Sequence, residues 1–351
     1  MSDSQPLGSV TSESKILIVG YGSAGRRHAR NLGALGCRHL LFLRSGRPNT
    51  MDDLPPGEVV TTLAQALDRE PLAAVIATPT ALHLQTALPL AAEGCHLLIE
   101  KPLASDRELA ACTELVHLAR QRKLVTMVGY QFRFHPMLRE LRAGLQEGRL
   151  GELIGARAEW GEYLPEWHPW EDYRESYAAR ADLGGGVLLT LSHPIDYLAW
   201  LFGDIVEAQA ACQKVPLIST RVVDDWAELI LRFRGGLIAQ VHLDYVQQPP
   251  VHRLSVWGHR GRADLDFHTS ILTWMMRDET TQQVSADRRF TRNDMFLAEM
   301  RHFLDALASQ RATDIPLEDG VAVLRAVARA RHNAALQQIQ QSPCEISVGI
   351  P

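Results

Sequence analysis

Two short segments hold the residues best suited to chemistry. Lys101 lies in the segment Glu100-Lys101-Pro102, which follows the apolar run His96–Ile99. Because ligands bind beyond the carboxyl ends of the strands in open α/β sheets, this position favours a lysine aimed at a substrate over an ordinary surface lysine. The second segment runs from three glycines (184–186) to His193, in a predicted amphipathic helix that ends near Phe202. A histidine there is either a proton donor and acceptor or a satisfied core or surface group.

A glycine-rich turn near the start of the chain predicts a phosphate cradle. Gly20-Tyr21-Gly22-Ser23-Ala24-Gly25 is a GxGxxG sequence between an apolar strand and a predicted helix, which is the context that this motif requires. Gly20 permits a tight turn, Gly22 lets the backbone approach a pyrophosphate, and Gly25 lets the helix pack closely on the strand. The helix N-terminus then offers unpaired N–H groups to the phosphates. The motif predicts a dinucleotide site, and a glycine turn without a ligand is the alternative.

The end of the second predicted strand indicates which dinucleotide is bound. An acidic residue there bonds the ribose 2′-hydroxyl of NAD, whereas an arginine accommodates the 2′-phosphate of NADP. The sequence has Arg44, Ser45 and Arg47 at this place, and Asp52 and Asp53 lie farther on. Two guanidinium groups and a hydroxyl suit a phosphate better than a diol, so we expect NADP as the cofactor. The alternative is NAD, with Arg44 stacked on the adenine.

Alternating strands and helices position these residues. The apolar runs predict strands at Ile16–Val19, Leu40–Leu43, Val59–Thr61, Ala74–Ala77, His96–Ile99 and Thr126–Val128. Helical stretches lie between them, at Gly25–Leu35, Leu82–Glu93 and Asp106–Arg122. Strands that are apolar throughout and separated by helices are typical of a doubly wound parallel sheet in an α/β fold. We expect a Rossmann dinucleotide-binding domain over residues 15–136, after a flexible tail at 1–14.

After Gly151 the pattern changes, and apolar and polar residues alternate. Strands are predicted at Leu153–Trp160, Ile205–Cys212, Ala227–Phe233, Leu237–Tyr245, Leu254–Trp257, Ala263–Phe267 and Ile271–Met276, with a hairpin at Gly235-Gly236. Helices at Asp294–Ala308 and Leu317–Gln340 close the chain. We expect residues 137–351 to form an α+β domain with a large, mostly antiparallel open sheet, whose last helix can pack back on the Rossmann domain. Because a second subunit usually covers such a half-apolar face, we expect a homodimer or homotetramer.

The composition excludes several classes of protein. Of 351 residues, 46% are hydrophobic and 22% are charged, and the net charge is −5; this is typical of a globular chain and gives no electrostatic case for binding nucleic acid or an anionic membrane. The longest apolar run near the start is too short for a membrane span or a signal peptide. Five cysteines without CxxC or CxxH spacing favour reduced thiols in the cytoplasm. The 14 histidines include no HExxH, so we expect no metal.

Taken together, these segments resemble the Gfo/Idh/MocA family (glucose–fructose oxidoreductase, inositol dehydrogenase, rhizopine catabolism). The resemblance covers nearly the whole chain, through GYGSAG, EKP, GYQFRFHP at 129–136, the GGG…H segment and Asp319-Gly320 before the last helix. It implies a Rossmann domain followed by an α+β domain whose open sheet builds dimers or tetramers. It also implies NAD(P)-dependent oxidation or reduction of a hydroxyl or carbonyl centre in a sugar, amino-sugar or cyclitol.

The resemblance assigns roles to single residues. Lys101 matches the family's active-site lysine and His193 its catalytic histidine. When a secondary alcohol is oxidised, its proton leaves as hydride passes to nicotinamide C4; an imidazole can accept that proton and an ammonium can stabilise the developing alkoxide. Many members have an aspartate four residues before the histidine, whereas this chain is one residue shorter there and has Thr190. Asp196, on the same helical face as His193, either orients the imidazole instead or is a capping or packing residue.

Further contacts are expected around this pair. We expect the cofactor also to contact Thr78, Pro79, His83, Glu100 and Lys101. The segment 163–177 is dense in aromatic and ionisable side chains, which either line a sugar pocket or bury against the sheet. Expected substrate contacts are Lys101, Tyr130, Arg133, Tyr163, Trp167, His168, Tyr173, Arg174 and His193. Together with LTLSHPIDY, the WHPWEDYR sequence resembles relatives found among bacterial genes for surface amino-sugars or nonulosonic acids, with Arg174 available to a carboxylate or phosphate.

Two other functions occur in this family and compete with a dehydrogenase. Some relatives retain their NAD and cleave a glycosidic bond by transient oxidation, which gives hydrolysis without net cofactor turnover. Another, the galactose repressor, is a cofactor-sensing regulator. Loss of the lysine or the histidine would favour the regulator, and the sequence has both Lys101 and His193.

Overall fold

The computed structural model describes residues 14–44, 55–221 and 224–341. The first part of the chain forms a six-stranded parallel sheet in the order β3-β2-β1-β4-β5-β6. Its strands are β1 (Lys15–Val19), β2 (His39–Leu43), β3 (Glu58–Val60), β4 (Ala73–Ile76), β5 (His96–Glu100) and β6 (Thr126–Gly129). The order reverses between β1 and β4, so the loops that follow these two strands flank the crevice where doubly wound sheets bind ligands.

Helices pack against this sheet because its strands are apolar on both faces. They are α1 (Ser23–Ala34), α2 (Leu63–Leu67), α3 (His83–Ala92) and α4 (Leu109–Gln121). In the central strand, Ile16, Leu17 and Ile18 are fully buried, as parallel strands covered on both sides require. Helix α1 contacts β1 and β4, and α3 contacts β4 and β5. This layer positions the glycine turn after β1 and Lys101 after β5 at the same edge of the sheet.

The second sheet has eight strands in the order β14-β13-β12-β11-β7-β10-β9-β8. They are β7 (Leu153–Gly161), β8 (Ile205–Gln213), β9 (Trp226–Phe233), β10 (Ile238–Asp244), β11 (Val251–Gly258), β12 (Gly261–Asp266), β13 (Ile271–Met276) and β14 (Thr281–Ser285). Only β7 and β10 pair in parallel among these strands. Burial alternates along β9 and β10, as a sheet with one packed face predicts.

The helices of the second part connect the two sheets. They are α5 (Pro136–Gln146), α6 (Val187–Thr190), α7 (His193–Phe202), α8 (Arg292–Ser309) and α9 (Leu317–Gln341). Helix α9 contacts β8 of the second sheet and α4 and β6 of the first. Its Arg331 forms ion pairs with Asp106 at 2.6 Å and with buried Asp224 at 2.8 Å. The last helix therefore packs against both parts of the chain, next to the crevice.

The predicted fold class is confirmed, with local differences. The hairpin at Gly235-Gly236 joins β9 and β10, and Gly236 has a φ of +87°. Helices α2 and α5 and strand β14 were not predicted. Helix α2 and strand β14 have only five residues each, whereas α5 has eleven residues and a clear apolar face that could have identified it. The single helix predicted before Phe202 is wrong: the chain forms α6, breaks at Leu191-Ser192, and begins α7 at His193, where Pro194 occupies the first turn.

The structure does not test the predicted tail or the predicted domain boundary. The predicted tail at 1–14 falls almost wholly outside the described residues, and the boundary at 136–137 stays a prediction. Cys37, Cys95, Cys112 and Cys212 are free thiols. In the part of the chain that the structure describes, no helix is long and apolar enough to cross a membrane, and no group of three or more metal-ligating side chains is arranged to hold an ion.

Candidate active site

The glycine turn between β1 and α1 has the geometry of a nucleotide cradle. Gly20 has a φ of +86°, and a Cβ there would lie 2.7 Å from the carbonyl oxygen of Ala77. A Cβ on Gly25 would collide with the carbonyl oxygen of Gly20, whereas a Cβ on Gly22 would meet nothing within 4 Å. Helix α1 has no side-chain cap at its N-terminus and no acidic residue in its first turn. This open turn with unpaired N–H groups fits a pyrophosphate.

A cavity of about 450 Å³ adjoins the cradle on the side of β2, and we call it the outer cavity. It is lined by Val19, Gly20, Tyr21, Gly22, Leu43, Arg44, Thr61, Leu63, Thr78, Pro79 and Leu82. The Arg44 guanidinium carbon lies 5.6 Å from the centre of the Tyr21 ring. Within the described lining, Arg44 is the only charged residue and no carboxylate is present. Ser45 and Arg47 lie outside the described residues.

A larger cavity of about 580 Å³, the central cleft, extends from the cradle to the second sheet. It shares Gly20, Tyr21, Gly22, Thr78 and Pro79 with the outer cavity. The predicted site residues that line it are Gly20, Tyr21, Gly22, Ser23, Ala24, Thr78, Pro79, Glu100, Lys101, Trp167, His168 and His193. The structure thus brings the glycine cradle, the lysine and the histidine together in one space.

Lys101 enters the central cleft from the carboxyl end of β5. Its Nζ donates a hydrogen bond of 2.8 Å to the carbonyl oxygen of Thr190 at the end of α6. Burial lowers the pKa of Lys101 to about 8, although nearby Glu100 acts to raise it. The lysine is therefore a charged donor near neutral pH that can lose its proton at mildly alkaline pH.

Glu100 is held by its neighbours. Its Oε1 lies 2.7 Å from Nε2 of buried His28, and its Oε2 accepts from the backbone N–H of Lys101 at 3.2 Å. Burial acts to raise the pKa of Glu100, but the hydrogen bond with His28 and the charge of Lys101 leave it lowered. Glu100 lines the cleft and its Oε2 fixes the backbone that carries Lys101, while the cofactor contact predicted for Glu100 stays a prediction.

His193 lies at the start of α7 with its ring packed among aromatic side chains. The ring centre is 5.5 Å from that of Tyr130, 4.8 Å from Phe132 and 5.5 Å from Trp160. Nδ1 is buried and has no hydrogen-bond partner among the described residues. Burial, followed by the charges of Lys101 and the cations nearby, lowers the pKa of His193 well below its usual value. The imidazole is therefore neutral at physiological pH and able to accept a proton.

Asp196 does not orient His193. Both of its carboxylate oxygens accept from the Arg133 guanidinium, at 2.6 and 3.0 Å. Arg133 also donates to Asp319 of α9 at 2.7 Å. Burial opposes the charge of Arg133, but Asp196 and Asp319 leave its pKa raised. Asp196 and Arg133 are thus a buried pair that fixes α7, and neither the catalytic role predicted for Asp196 nor the substrate contact predicted for Arg133 agrees with this arrangement.

Asp224 fixes the start of α6. Its carbonyl oxygen accepts from the N–H of Val187, and its Oδ1 accepts from the N–H of Leu188 at 3.3 Å. Gly186 has a φ of +109°, and a Cβ there would lie 2.6 Å from Asp224 Oδ1. This close approach explains the glycine before α6, whose last residue, Thr190, holds Lys101.

His83 and Tyr130 are buried beside the cleft and do not line it. One ring nitrogen of His83 lies 2.9 Å from the carbonyl oxygen of Thr78, and the other lies 3.0 Å from that of Pro102. His83 therefore bonds to the loops after β4 and β5, and the cofactor contact predicted for it is not supported, because both ring nitrogens already have these partners. Tyr130 packs edge-on against His193, so it supports the imidazole and does not face a substrate.

The segment 163–177 contributes to the cleft only in part. The residues of this segment that line it are Trp167, His168, Glu171, Glu175, Ser176 and Tyr177. Arg174 is exposed and bonds its neighbour Asp172 at 2.7 Å, outside the cleft. Tyr163 and Tyr173 pack against the core, and the Tyr173 hydroxyl accepts from the N–H of Ser219. The predicted substrate contacts of Tyr163, Tyr173 and Arg174 are therefore not supported, because these side chains have other partners.

Several residues that the sequence did not single out also line the cleft. Among them are Arg27, Trp160, Glu162 and Arg292. The alternation along β7 places Trp160 on the same face as buried Ala158, a signal that could have identified it. Arg27 lies over the Phe296 ring at 4.3 Å, and Glu162 accepts from the Trp160 indole N–H at 2.9 Å. Arg292 begins α8, far along the chain from every motif.

Comparison with known proteins identifies the family. Residues 14–130 match the model of the oxidoreductase family with an NAD-binding Rossmann fold, and residues 138–264 match the GFO/IDH/MocA C-terminal domain. The chain belongs to the Gfo/Idh/MocA family. The predicted resemblance is confirmed by these two matches, which follow one another along the chain as the motifs do.

Relatives in the Gfo/Idh/MocA family include oxidoreductases of several kinds. An uncharacterized oxidoreductase of Synechocystis sp. is 32% identical over 203 residues, which cover 54% of this chain and 53% of the relative. A UDP-N-acetylglucosamine 3-dehydrogenase of Acidithiobacillus ferrooxidans is 27% identical over 329 residues, covering 89% of this chain and 94% of the relative. The match to the first relative therefore spans only about half of its length.

A solved structure in the same fold is that of levoglucosan dehydrogenase in complex with NADH and levoglucosan. It superposes with a TM-score of 0.82 at 18% sequence identity, covering 92% of this chain and 98% of that one. At this identity the likeness concerns the fold alone.

Proposed function

We propose that this Gfo/Idh/MocA protein is an NAD(P)-dependent oxidoreductase. It transfers hydride between nicotinamide C4 and a secondary hydroxyl or carbonyl carbon of a sugar, amino-sugar or cyclitol. The observation that carries the proposal is the meeting of Lys101 and His193 in the central cleft, beside the glycine cradle. A bound nicotinamide dinucleotide would supply the hydride acceptor or donor, and the cradle residues Gly20, Gly22 and Ser23 would hold its pyrophosphate.

Lys101 and His193 have complementary roles in this reaction. In alcohol oxidation, the neutral His193 imidazole takes the hydroxyl proton, because its depressed pKa keeps it unprotonated at neutral pH. The Lys101 ammonium donates a hydrogen bond to the same oxygen and stabilises the charge that develops there. The Thr190 carbonyl oxygen accepts a hydrogen bond from one N–H of Lys101 at 2.8 Å, which leaves the other two N–H groups for the substrate. In reduction, the same pair donates the proton and polarises the carbonyl.

The walls of the central cleft suit a polar ring substrate. Trp160, Trp167 and Tyr177 supply flat apolar faces, and Glu162 and His168 supply hydrogen-bonding groups. The relative named as a UDP-N-acetylglucosamine 3-dehydrogenase, whose match covers 89% of this chain, supports a sugar-type substrate.

NADP is the proposed cofactor, and NAD is the alternative. Support comes from Arg44, the only charged residue in the described lining of the outer cavity, and from the absence of a carboxylate in that lining. A guanidinium suits a 2′-phosphate through charge-assisted hydrogen bonds, whereas Arg44 stacked on adenine would serve NAD equally well. The family model names an NAD-binding fold and does not separate the two dinucleotides.

A homo-oligomer and a cytoplasmic location remain proposals as well. The face of the second sheet that points away from the helices carries the apolar side chains Trp226, Ile230, Ile238, Trp257 and Met275. Ile230 is 49% exposed and Ile238 is 39% exposed, which supports a self-interface. Light scattering of Ile230→Glu should then report a smaller assembly than the wild type, and an unchanged mass would contradict this surface.

A substrate screen tests the proposed function. The protein is mixed with NADPH or NADH and a panel of keto-sugars, and with the oxidised dinucleotides and a panel of sugars, amino-sugars and cyclitols. We expect a change in nicotinamide absorbance with at least one member, and none with Lys101→Met. Hydrolysis of glycosides without net nicotinamide turnover would instead indicate the NAD-retaining hydrolase. Dinucleotide binding without any turnover would indicate the regulator.

A further inference from the structure

The central cleft continues into a smaller cavity of about 240 Å³, which we call the side chamber. The two spaces share Trp160, Glu162 and Arg292. No residue of the glycine cradle lines the side chamber among those described. The chamber therefore opens from the substrate's side of the cleft, and a group that occupies it belongs to the substrate and not to the dinucleotide.

Imidazole and aromatic rings form the walls of the side chamber. His252 stacks between Trp160 and Phe267, with ring centres at 4.3 and 4.0 Å. Nε2 of His252 and Nδ1 of His135 are buried without a hydrogen-bond partner among the described residues. Nε2 of His135 lies 3.3 Å from the Ser270 hydroxyl. Since buried polar atoms are nearly always paired, these two nitrogens are candidate partners for a polar group in the chamber.

Arg292 supplies the charge at the junction of the two spaces. Within residues 14–44, 55–221 and 224–341, its guanidinium forms no hydrogen bond and no ion pair. Its positive charge acts on Lys101 and His193 in the cleft and on His252 in the chamber, and lowers the pKa of each. Glu162, the carboxylate nearby, already accepts from the Trp160 indole. Arg292 is therefore the group at this junction that can pair with an incoming anion, while Glu162 keeps its negative charge and its own bond to the Trp160 indole.

We propose that the side chamber binds a negatively charged substituent, a carboxylate or a phosphate, of a sugar whose reacting carbon lies in the central cleft, with Arg292 as its ion partner. The inference rests on the proposed function and names its substrate class. Arg292 takes the role that the sequence suggested for Arg174, which is committed to Asp172. His135 and His252 add neutral hydrogen bonds, since burial lowers the pKa of His135 to about 4 and that of His252 well below its usual value.

Calorimetric titration of the full-length protein loaded with NADP⁺ tests the side chamber without requiring turnover. The probes are D-glucose, D-glucuronate and D-glucose 6-phosphate. We expect at least one anion to bind about tenfold or more tightly than glucose. Arg292→Met should remove that preference, so that the anions bind no more tightly than glucose does. The better anion, carboxylate or phosphate, identifies the substituent.

Two further variants control for the loss of a charge and for the role of the His252 ring nitrogens. Arg289→Met removes an equal charge three residues earlier, from an exposed side chain that pairs with Asp287 and lines neither space, and it should bind like the wild type. His252→Phe preserves the stack but not the ring nitrogens, and should weaken the preferred anion severalfold. Equal affinity for glucose and both anions would overturn the inference, and so would equal losses in Arg292→Met and Arg289→Met.

The failure of this inference is distinguishable from that of the proposed function. If neutral sugars are turned over with the same KM as uronates and sugar phosphates, the side chamber is not an anion subsite and hydride transfer stands. If the anions bind as expected but no sugar changes the nicotinamide absorbance, the anion subsite stands and hydride transfer fails.

Discussion

Arg133 and Asp196 form a two-bond ion pair beneath the candidate active site, with N–O distances of 2.6 and 3.0 Å and both side chains buried. The pair joins the turn after β6 to helix α7, which begins with His193. A third bond, from Arg133 to Asp319, extends the link to α9. The position of the imidazole is therefore fixed through its helix, and not by a carboxylate on its own ring.

Replacing Asp196 should lower the free energy of unfolding and have a smaller effect on the catalytic rate. Asp196→Asn leaves the buried Arg133 charge with only the partly exposed Asp319, and loss of one partner in a buried pair costs about 3–5 kcal/mol. Urea denaturation should show this loss in the free energy of unfolding. The double variant Arg133→Met/Asp196→Leu should recover most of it, since apolar pairs can replace buried ion pairs. Wild-type stability of Asp196→Asn would contradict the role assigned to the pair.

The pH dependence of alcohol oxidation should reflect Lys101 and His193. Neutral His193 is required, so activity falls only when the pH drops well below 6.5. Charged Lys101 is also required, and burial lowers its pKa to about 8, so kcat/KM should fall as the pH rises through about 8. Lys101→Arg keeps its charge to above about pH 12, and its alkaline limb should disappear from the measurable range. An alkaline limb that stays near pH 8 in this variant would assign the ionisation elsewhere.

Replacing Arg44 should affect the affinity for NADPH and the affinity for NADH differently. If its guanidinium contacts a 2′-phosphate, Arg44→Ala loses a charge-assisted hydrogen bond of about 1.5–3 kcal/mol. Fluorescence titration should then show NADPH weakened at least tenfold and NADH much less. Equal losses for both dinucleotides would favour stacking of Arg44 on the adenine. The control variant is Arg30→Ala, which removes an arginine of helix α1 that lines neither cavity.

Local sequence signals predicted the parts of the site that depend on backbone geometry. The GxGxxG turn, the strand before Lys101 and the two sheets follow from glycine placement and apolar periodicity, and the strand bounds agree closely with β1 to β13. The break at Leu191-Ser192 was not predicted, because the apolar pattern continues through it while Pro194 begins a new helix.

Side-chain partners could not be predicted in the same way. Asp196 was assigned to His193 by its spacing on one helix, but Arg133, 63 residues earlier, is its partner. The guanidinium of Arg174 is suited to binding an anion, but it forms an ion pair with Asp172, two residues away along the chain. Arg292 lies in no motif and lines the cleft only because the fold packs α8 against α1 and the turn after β6. These choices depend on which groups the tertiary fold brings together, and a spacing rule along the chain does not contain that information.

Isotope transfer tests the central claim, that Lys101 and His193 support direct hydride transfer in this cleft. NADPH deuterated at the transferable C4 position is incubated with the keto-sugar found in the screen, and the product sugar is analysed by mass spectrometry. We predict one deuterium on the reduced carbon, and a rate lowered by at least about 10²-fold in Lys101→Met and in His193→Gln, while both variants bind NADPH as the wild type does. Oxidation of NADPH without deuterium in the sugar, or transfer at the wild-type rate in either variant, would contradict it.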